Sequence, residues 1–448
     1  MNNPIGEAAA DFIAAADTRT YSLDVIDLAK RCLVDWMGVA VGAVDQPVSH
    51  AIRETVISWG AEGRSQILCG PKTAPALAAL VNATIGHALD FDDTRGHAPS
   101  HLSSPTWSAV LALAERHGLD EAAALNAFIT GYEVAAVWGD GGIGNRMQAA
   151  GFHPTPVFGR LAAAAAASVL LGLDRDQILN ALATAATSAG GMTASFGTMG
   201  KPFHSGNGAM EGVLAAEMAA NGFTAARHIF DAAGGFADTL VQQDGPGLGD
   251  APLTAGENLF DNSFKPYACG KLIHGHIDAA RELRPQVEGR KVEAIRCTVA
   301  AISSKLVAHP MPTEPLQGKF SIAFCVAIAL LGYPVQLADF SAERLADPRV
   351  QDLMPRVTLS LDPDIGRYGA EMEIDLADGT PLHTVVERSR GNPENPLSWD
   401  DLEAKFDGLV QPVLGDASET LYKTLRGFDQ PGALAQTLDL VSARPIRP

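Results

Sequence analysis

The feature that most constrains the fold of this chain is a succession of alanine-rich apolar segments with helical spacing. In the first of them, Leu23, Ile26 and Ala29 recur at intervals of three residues. Alanine is the best helix former, and its small side chain lets helices approach closely. Similar segments cover residues 76–89, 108–118, 121–139, 157–172, 175–190 and 206–222. The pattern predicts a large all-helical domain over residues 1–262, completed by a helical return over 396–448.

The pattern changes between residues 263 and 395. Short alternating runs at 292–299 and 357–361 are typical of strands, and a second alternating stretch carries Asp378-Gly379, a frequent hairpin turn. An apolar helix is predicted at 320–332 between these strands. We therefore expect a mainly α protein with a large helical domain and a smaller α+β domain.

The charge balance limits the partners of the chain. Acidic residues outnumber basic residues by 52 to 33, which gives a formal net charge of −19 at pH 7. Such a surface repels nucleic acid and anionic lipid. No run of about 18 apolar residues occurs, the N-terminal residues lack signal-peptide order, and the five cysteines lack metal-ligand spacing. We therefore expect a cytoplasmic protein with no metal site and no nucleic-acid or membrane partner.

The strongest local feature is the acidic segment, residues 87–104, with the sequence HALDFDDTRGHAPSHLSS. Asp90, Asp92 and Asp93 crowd at a predicted helix C-terminus, where the helix dipole disfavours negative charge. Crowding of this kind indicates nearby cations, a metal or catalysis. A solvated acidic patch is the alternative.

Three known acidic motifs resemble part of this segment. The haloacid-dehalogenase loop follows a buried strand, whereas a helix precedes these aspartates. Alkene-protonating terpene cyclases line their cavities with aromatic side chains, which make up only 6% of this chain. Paired aspartates also bind Mg²⁺, but the adjacent histidines suit this hard cation poorly and no phosphate-binding loop occurs.

Three further segments place histidines and lysines in glycine- and proline-rich sequence, which predicts loops. In chain order they hold His153; Lys201 and His204; and Lys265, Lys271, His274 and His276. Each of these residues alone is typical of a solvated loop. Together with His97 and His101 they predict a positive pocket in a negative protein, because three of the ten lysines are among them. Such a pocket would bind a small polycarboxylate and stabilise a developing enolate.

Five motifs occur in order and resemble the MmgE/PrpD family over about residues 5–425. They are HALDFDDT, GFHPTPVFG, KPFHSGNGAMEGVLAA, SFKPYACGKLIH and GKFSIAFCVAIALLG. The resemblance implies a large helical domain, an α+β lid domain and a homodimer. It also implies chemistry on small di- or tricarboxylates without a metal or an organic cofactor.

The resemblance transfers an active-site set to this chain by motif. The implied catalytic residues are Asp90, Thr94, His101, His153, Lys201 and Lys265. Beyond this transferred set, we expect substrate contacts from Asp93, His97, His204, Lys271 and His274. Because a one-residue insertion follows Thr94, His97 and His101 compete for one motif position.

The activities found in the family are dehydration of 2-methylcitrate, decarboxylation of cis-aconitate and epimerisation of iminodisuccinate. Decarboxylating members have a histidine shortly after the equivalent of Lys265, where this chain has Gly270. This departure favours a dehydratase-like lyase, followed by an epimerase and then a decarboxylase. We expect His153 or Asp90 to remove the proton next to a substrate carboxylate. A carboxylate-binding protein without catalysis is the alternative of a different class.

Overall fold

The computed structural model describes residues 5–96, 99–241 and 247–442 of the chain. The helices are α1 Ile5–Ala14, α2 Leu23–Gly42, α3 Pro47–Ser58, α4 Pro75–Gly86, α5 Ser103–His117, α6 Glu121–Gly139, α7 Ile143–Ala149, α8 Pro154–Leu170, α9 Arg175–Thr187, α10 Gly200–Ala220, α11 Phe236–Val241, α12 His274–Val287, α13 Ala301–Leu306, α14 Pro315–Gly318, α15 Ile322–Leu330, α16 Ala342–Ala346, α17 Pro348–Leu353, α18 Trp399–Leu414, α19 Ala417–Arg426 and α20 Ala433–Ser442. The strands are β1 Ser65–Gln66, β2 Lys72–Thr73, β3 Thr94–Arg95, β4 Asn262–Ser263, β5 Val292–Val299, β6 Val357–Leu361, β7 Ala370–Leu376 and β8 Pro381–Val386. The protein is mainly α, as the sequence predicts.

The chain divides into two compact units. Unit 1 consists of the chain up to Ser263 and again from Trp399, and unit 2 is Phe264–Ser398. Unit 1 therefore holds α1–α11, the strands β1–β4 and the returning helices α18–α20, and unit 2 holds the remaining elements. In the described part of the chain, no helix has both the length and the apolar character needed to cross a bilayer.

The core of unit 1 is built around the alanine-rich helix α8, which packs against α5, α6, α9 and α10. Its neighbours carry glycine where the backbones come closest. A Cβ atom at Gly131 of α6 would lie 2.4 Å from the carbonyl oxygen of Ala162, and one at Gly212 of α10 would lie 2.4 Å from the Cβ of Ala163. Small residues on both sides thus allow the close helix packing that the composition suggested.

The start of α10 corrects one expectation from the sequence. Lys201 and His204 were expected in a loop, but both lie inside α10. Pro202 is tolerated in the first turn of a helix, where its missing NH has no intrahelical partner. The glycines that indicated a loop serve packing instead, since a Cβ at Gly206 would lie 2.3 Å from the carbonyl oxygen of Leu80 in α4. His274 and His276 likewise belong to a helix, α12.

A short two-stranded ladder fixes the chain that follows the acidic segment's aspartates. Thr94 pairs with Ser263, and Arg95 pairs with Asn262. The buried guanidinium of Arg95 forms ion pairs with Asp140 at 2.8 Å and Asp261 at 3.1 Å. Because these contacts join parts of the chain far apart in sequence, they hold this stretch in one conformation.

Unit 2 contains a four-stranded sheet in the order β6-β5-β7-β8. The β5–β6 pair is parallel, and the other two pairs are antiparallel. β7 and β8 form the predicted hairpin, in which Gly379 has a φ of +86° that the turn requires. Helix α12 packs against β7, β8 and α15, which places the sheet's buried side chains in one core.

Candidate active site

The acidic segment begins where α4 ends. His87 caps the C-terminus of α4, and the chain then turns through Asp90, whose φ is +53°. Few residues other than glycine adopt this left-handed conformation, and such positions concentrate at functional sites. The turn separates Asp90 from Asp92 and Asp93, so the three carboxylates enter different surroundings.

Asp90 forms an ion pair at the accessible edge of unit 1. The Nζ atom of Lys201 lies 2.6 Å from Oδ1 of Asp90, with side chains 15% and 25% exposed respectively. The Nε2 atom of His101 lies 3.9 Å from the same oxygen. Lys201 is in the first turn of α10, and its Nζ lies 5.6 Å from the ring centroid of Phe196. A cation, a carboxylate and an imidazole therefore meet where solvent reaches them.

Asp92 lies beneath this edge, fully buried between two imidazoles. Its carboxylate oxygens are 2.9 and 3.0 Å from Nδ1 of His87, and Oδ2 is 3.3 Å from Nδ1 of His101. Burial alone would raise the pKa of Asp92, but the adjacent imidazoles outweigh it and hold that pKa well below its usual value. Burial lowers the pKa of His87 to about 4. At neutral pH Asp92 is thus a carboxylate that accepts hydrogen bonds from a neutral His87.

His153 joins the site from the N-terminus of α8, where it is the residue before Pro154. Its Nδ1 lies 3.2 Å from Nδ1 of His204, and its ring packs edge-on against Phe196 with 4.9 Å between centroids. Burial, followed by the charge of Lys201, lowers the pKa of His153 well below 6.5. Burial also lowers the pKa of His204. Both imidazoles are therefore neutral at pH 7 and able to accept a proton.

Thr94 and Asp93 occupy positions beside this cluster. The Oγ1 of Thr94 donates to the carbonyl oxygen of Ser100 over 3.5 Å. Asp93 is fully buried and accepts hydrogen bonds from Ser103 and Asn262. The sequence predicted a substrate contact for Asp93, but the structure gives it internal partners and removes it from solvent. Asp93 therefore helps to hold the conformation of the acidic segment through these internal hydrogen bonds.

The remaining sequence-predicted residues lie in unit 2 or outside the described residues. The side chains of Lys265 and Lys271 are buried near Tyr368. Burial raises the pKa of Tyr368, and the charge of Lys265 partly offsets this effect. The Nζ atom of Lys271 lies 5.9 Å from the centroid of the Tyr368 ring. His274 is buried, with Nε2 at 3.3 Å from the carbonyl oxygen of Cys269 and its ring against Tyr267. These contacts indicate packing for His274. His97 lies outside the described residues.

Residues 7–248 match the MmgE/PrpD N-terminal domain, and residues 267–426 match the MmgE/PrpD C-terminal domain. The chain belongs to the MmgE/PrpD family. Among its relatives is a cis-aconitate decarboxylase of Aspergillus terreus, 29% identical over 428 residues that cover 88% of this chain and 86% of the relative. The human cis-aconitate decarboxylase is 28% identical, covering 90% and 88%. The 2-methylcitrate dehydratase of Cupriavidus necator is 24% identical, covering 80% of each chain.

Gly270, the residue that sequence analysis set against a histidine expected in decarboxylating members, is partly buried in this structure. The backbone NH of Gly270 donates to the carbonyl oxygen of Lys319 over 2.9 Å. A Cβ at this position would lie 3.2 Å from Cγ1 of Val307, closer than ordinary van der Waals contact. A larger side chain at 270 would therefore require Val307 to move.

His87 and Asp92 are not among the site residues that the sequence predicts. The signal available was a histidine at the helix end, five residues before a carboxylate that needs donors once it is buried. Ligand atoms of His87, Asp92 and His101 lie within 4.8 Å of one another, a spacing that could also hold a cation. Hydrogen bonds from Nδ1 of His87 engage both Asp92 oxygens, whereas Nε2 of His87 and Nδ1 of His101 are buried without a hydrogen-bond partner among the described residues.

Proposed function

We propose that this family member is a lyase that moves a proton at the carbon next to a carboxylate of a small di- or tricarboxylate. The observation that carries this proposal is the Asp90–Lys201 ion pair, with His101 near the same Asp90 oxygen and the buried His153 influenced by the charge of Lys201. This arrangement combines a cation for the substrate's charge with groups that accept and donate protons.

Lys201 is the proposed anchor for a substrate carboxylate. The protein as a whole is strongly acidic, so an anionic substrate requires a local cation. The position of Lys201 in the first turn of α10 adds the positive end of the helix dipole to its own charge. A substrate carboxylate can replace Asp90 at Nζ, which leaves Asp90 available to the reaction. Lys265 remains a predicted second anchor from the family motif.

His153 is the proposed base, and Asp90 is the alternative. A lowered pKa leaves the His153 imidazole neutral at pH 7, and the electron pair on its unprotonated nitrogen takes the proton. The electrons of the broken C–H bond pass into the adjacent carboxylate. Lys201 and the hydroxyl of Thr94 are the proposed groups that stabilise this charge.

Dehydration is the first proposed outcome. Nε2 of His101 takes up a proton from solvent and gives it to the leaving hydroxyl, the C–O bond breaks with loss of water, and a carbon–carbon double bond forms; the proton that the base removed returns to solvent. The similarity to 2-methylcitrate dehydratase over 80% of each chain supports this form of the reaction. Gly270, where the family resemblance leads us to expect a histidine in decarboxylating members, also supports dehydration.

Decarboxylation is the second candidate, because cis-aconitate decarboxylases match about nine-tenths of this chain. In this reaction the bond to the departing carboxylate breaks, CO₂ leaves, and the electron pair on carbon takes a proton from a histidine. The same cation and imidazoles serve both reactions. Gly270 distinguishes this chain from the decarboxylating pattern.

A product assay separates these candidates. The protein is incubated with 2-methylcitrate, cis-aconitate, iminodisuccinate and related polycarboxylates, and ¹H NMR follows the products. Loss of water identifies a dehydratase, CO₂ with one carboxylate fewer identifies a decarboxylase, and inversion without loss identifies an epimerase. Binding without any conversion would overturn the lyase proposal in favour of a carboxylate-binding protein.

A further inference from the structure

The proposed proton transfers assign no role to the buried Asp92 carboxylate, which lies between two imidazoles. Asp92 and His87 are fully buried and therefore hidden from substrate, yet they contact His101. His87 places Nδ1 within 3.0 Å of both Asp92 oxygens. Nδ1 of His101 lies 3.3 Å from Oδ2, and this buried nitrogen has no other polar partner in the described part of the chain, although its angle to the carboxylate falls short of a hydrogen bond.

The chemistry of the carboxylate fixes which imidazole nitrogens carry protons. An ionised carboxylate only accepts hydrogen bonds, so the nitrogens that face Asp92 must donate. A neutral imidazole carries one NH, and His87 stays neutral because burial disfavours its charge. His87 therefore has its proton on Nδ1 and holds Asp92 in place. Nδ1 of His101 is likewise the ring nitrogen that faces the Asp92 carboxylate, so an NH belongs on this nitrogen.

The other ring nitrogen of His101 then has a defined role. With Nδ1–H directed at Asp92, Nε2 faces Asp90 Oδ1 at 3.9 Å, on the accessible edge of the site. The backbone of His101 is also held, because its NH donates to Oγ1 of Thr155 over 3.1 Å. Both ends of the residue are thus constrained, and Nε2 is the atom left to exchange a proton with substrate.

We propose that Asp92 is a positioning residue that holds His101 in the Nδ1–H tautomer, and that His87 is the second donor that fixes the Asp92 carboxylate. This inference rests on the proposed function for the catalytic role of His101. The tautomer of His101 can be measured whether or not the reaction is the one proposed. Asp92 also stabilises the imidazolium that forms when Nε2 takes a proton.

The first test is Asp92→Asn, compared with Glu133→Gln. Glu133 is also fully buried in unit 1, but its carboxylate accepts from Thr254 and Asn258 instead of an imidazole. We expect Asp92→Asn to lower kcat by roughly 10²–10⁴-fold with KM changed less than about threefold, since proton transfer is affected and anchoring is not. Glu133→Gln should change thermal stability while retaining kcat at temperatures where it is folded.

The second test reads the tautomers directly in the full-length protein. Histidine-selective ¹⁵N NMR should show His87 and His101 with Nδ1 protonated and Nε2 unprotonated at pH 7. Asp92→Asn should alter the His101 signals. Because this measurement on the unmodified protein requires neither turnover nor a folded variant, it still tests the positioning if no substrate is converted or if Asp92→Asn does not fold.

Three results would overturn the inference. A folded Asp92→Asn protein with kcat within about threefold of the parent would show that His101 needs no positioning by Asp92. An Nε2–H tautomer of His101 in the unmodified protein would contradict the assigned tautomer. Loss of activity on dialysis against EDTA, with recovery on adding Zn²⁺ alone, would assign the trio to a cation instead.

Discussion

At the scale of single residues, three carboxylates within four positions are placed in three different environments. Asp90 pairs with Lys201, Asp92 accepts from imidazoles, and Asp93 is bonded to neutral partners in the interior. The pKa of Asp92 is held low, whereas burial, together with the charge of Asp35, raises that of Asp93 to about 7. The protonation state of each carboxylate follows from its partners, and its role follows from its protonation state.

His153→Ala tests the proposed base. We expect turnover to fall by roughly 10²–10⁴-fold, because the neutral imidazole that accepts the proton is removed. The matched control is His117→Ala, at the exposed C-terminal end of α5, which should retain turnover within about twofold. Steady-state kinetics on the substrate found by product assay measure both. Near-normal turnover in a folded His153→Ala protein would rule His153 out as the base.

Asp93→Asn tests the buried proton beneath the site. Because the folded-state pKa of about 7 exceeds the ordinary value of 3.8, the folded protein holds this proton more tightly than the unfolded chain. The stabilisation from Asp93 is full below pH 3.8 and is lost as pH rises towards 7. Asparagine does not ionise, so the parent should lose up to about 4 kcal/mol more unfolding free energy than Asp93→Asn over that window.

Urea unfolding of the parent and of Asp93→Asn at pH 4.5 and pH 7 measures this difference. If the unfolding free energy changed by the same amount between the two pH values in both proteins, Asp93 would ionise in the folded protein as it does in water. The comparison uses the difference between two proteins because buried histidines such as His87 and His276 titrate with the opposite sign. Their contribution is common to both proteins and cancels.

The sequence identified Asp90, His101, His153 and Lys201 through motifs, although they are far apart in the chain. It selected Asp93 and left out Asp92, because adjacent residues of one type differ only through the backbone that carries them. The left-handed turn at Asp90 decides which side chain meets which partner. Such a turn at a residue other than glycine leaves little trace in a local pattern.

At the scale of helices and strands, sequence patterns gave the existence of the elements better than their ends. The apolar spacing predicted α2, and Ser22 caps it by accepting from the NH of Val25. The start of α10 was missed because a glycine-rich stretch normally indicates a loop. Its glycines are instead points where another helix backbone comes close, and that depends on tertiary packing. The predicted β7–β8 hairpin is confirmed because its turn chemistry is local.

Gly212→Ala tests the close packing of α10 on α8. The added Cβ would lie 2.4 Å from the Cβ of Ala163 and 2.7 Å from the backbone nitrogen of Ala164, so one helix must shift. We expect a loss of about 1–3 kcal/mol in unfolding free energy. The control is Gly408→Ala in α18, where nothing lies within 4 Å and alanine should stabilise by about 0.5–1 kcal/mol.

Chemical denaturation of both glycine variants measures the contrast. The expected result is opposite signs for Gly212→Ala and Gly408→Ala relative to the parent. Equal or stabilising effects at both positions would mean that α10 can move away from α8 without loss. The alanine-rich composition would then reflect helix propensity alone.

At the scale of the whole molecule, a homodimer is proposed because the family resemblance implies one. Large apolar side chains are exposed within one stretch of unit 1, namely Met192, Phe196, Met199, Phe203, Leu214 and Phe223. A second copy covering them would remove this surface from water. Sedimentation velocity should show a dimer for the parent and a shift towards monomer for Leu214→Glu. Leu23→Glu, at another exposed leucine, should remain dimeric, and a monomeric parent would contradict the proposal.

The central claim is that this protein exchanges a proton at the carbon next to a substrate carboxylate. Incubation with the panel of di- and tricarboxylates in D₂O, read by NMR, tests it most directly. We expect deuterium at that carbon in substrate or product with the parent protein, and a loss of exchange by orders of magnitude in Lys201→Ala. Lys72→Ala, which removes an exposed lysine paired with Glu115, should exchange like the parent. Absence of deuterium across the panel, or equal exchange by Lys201→Ala, would contradict the claim.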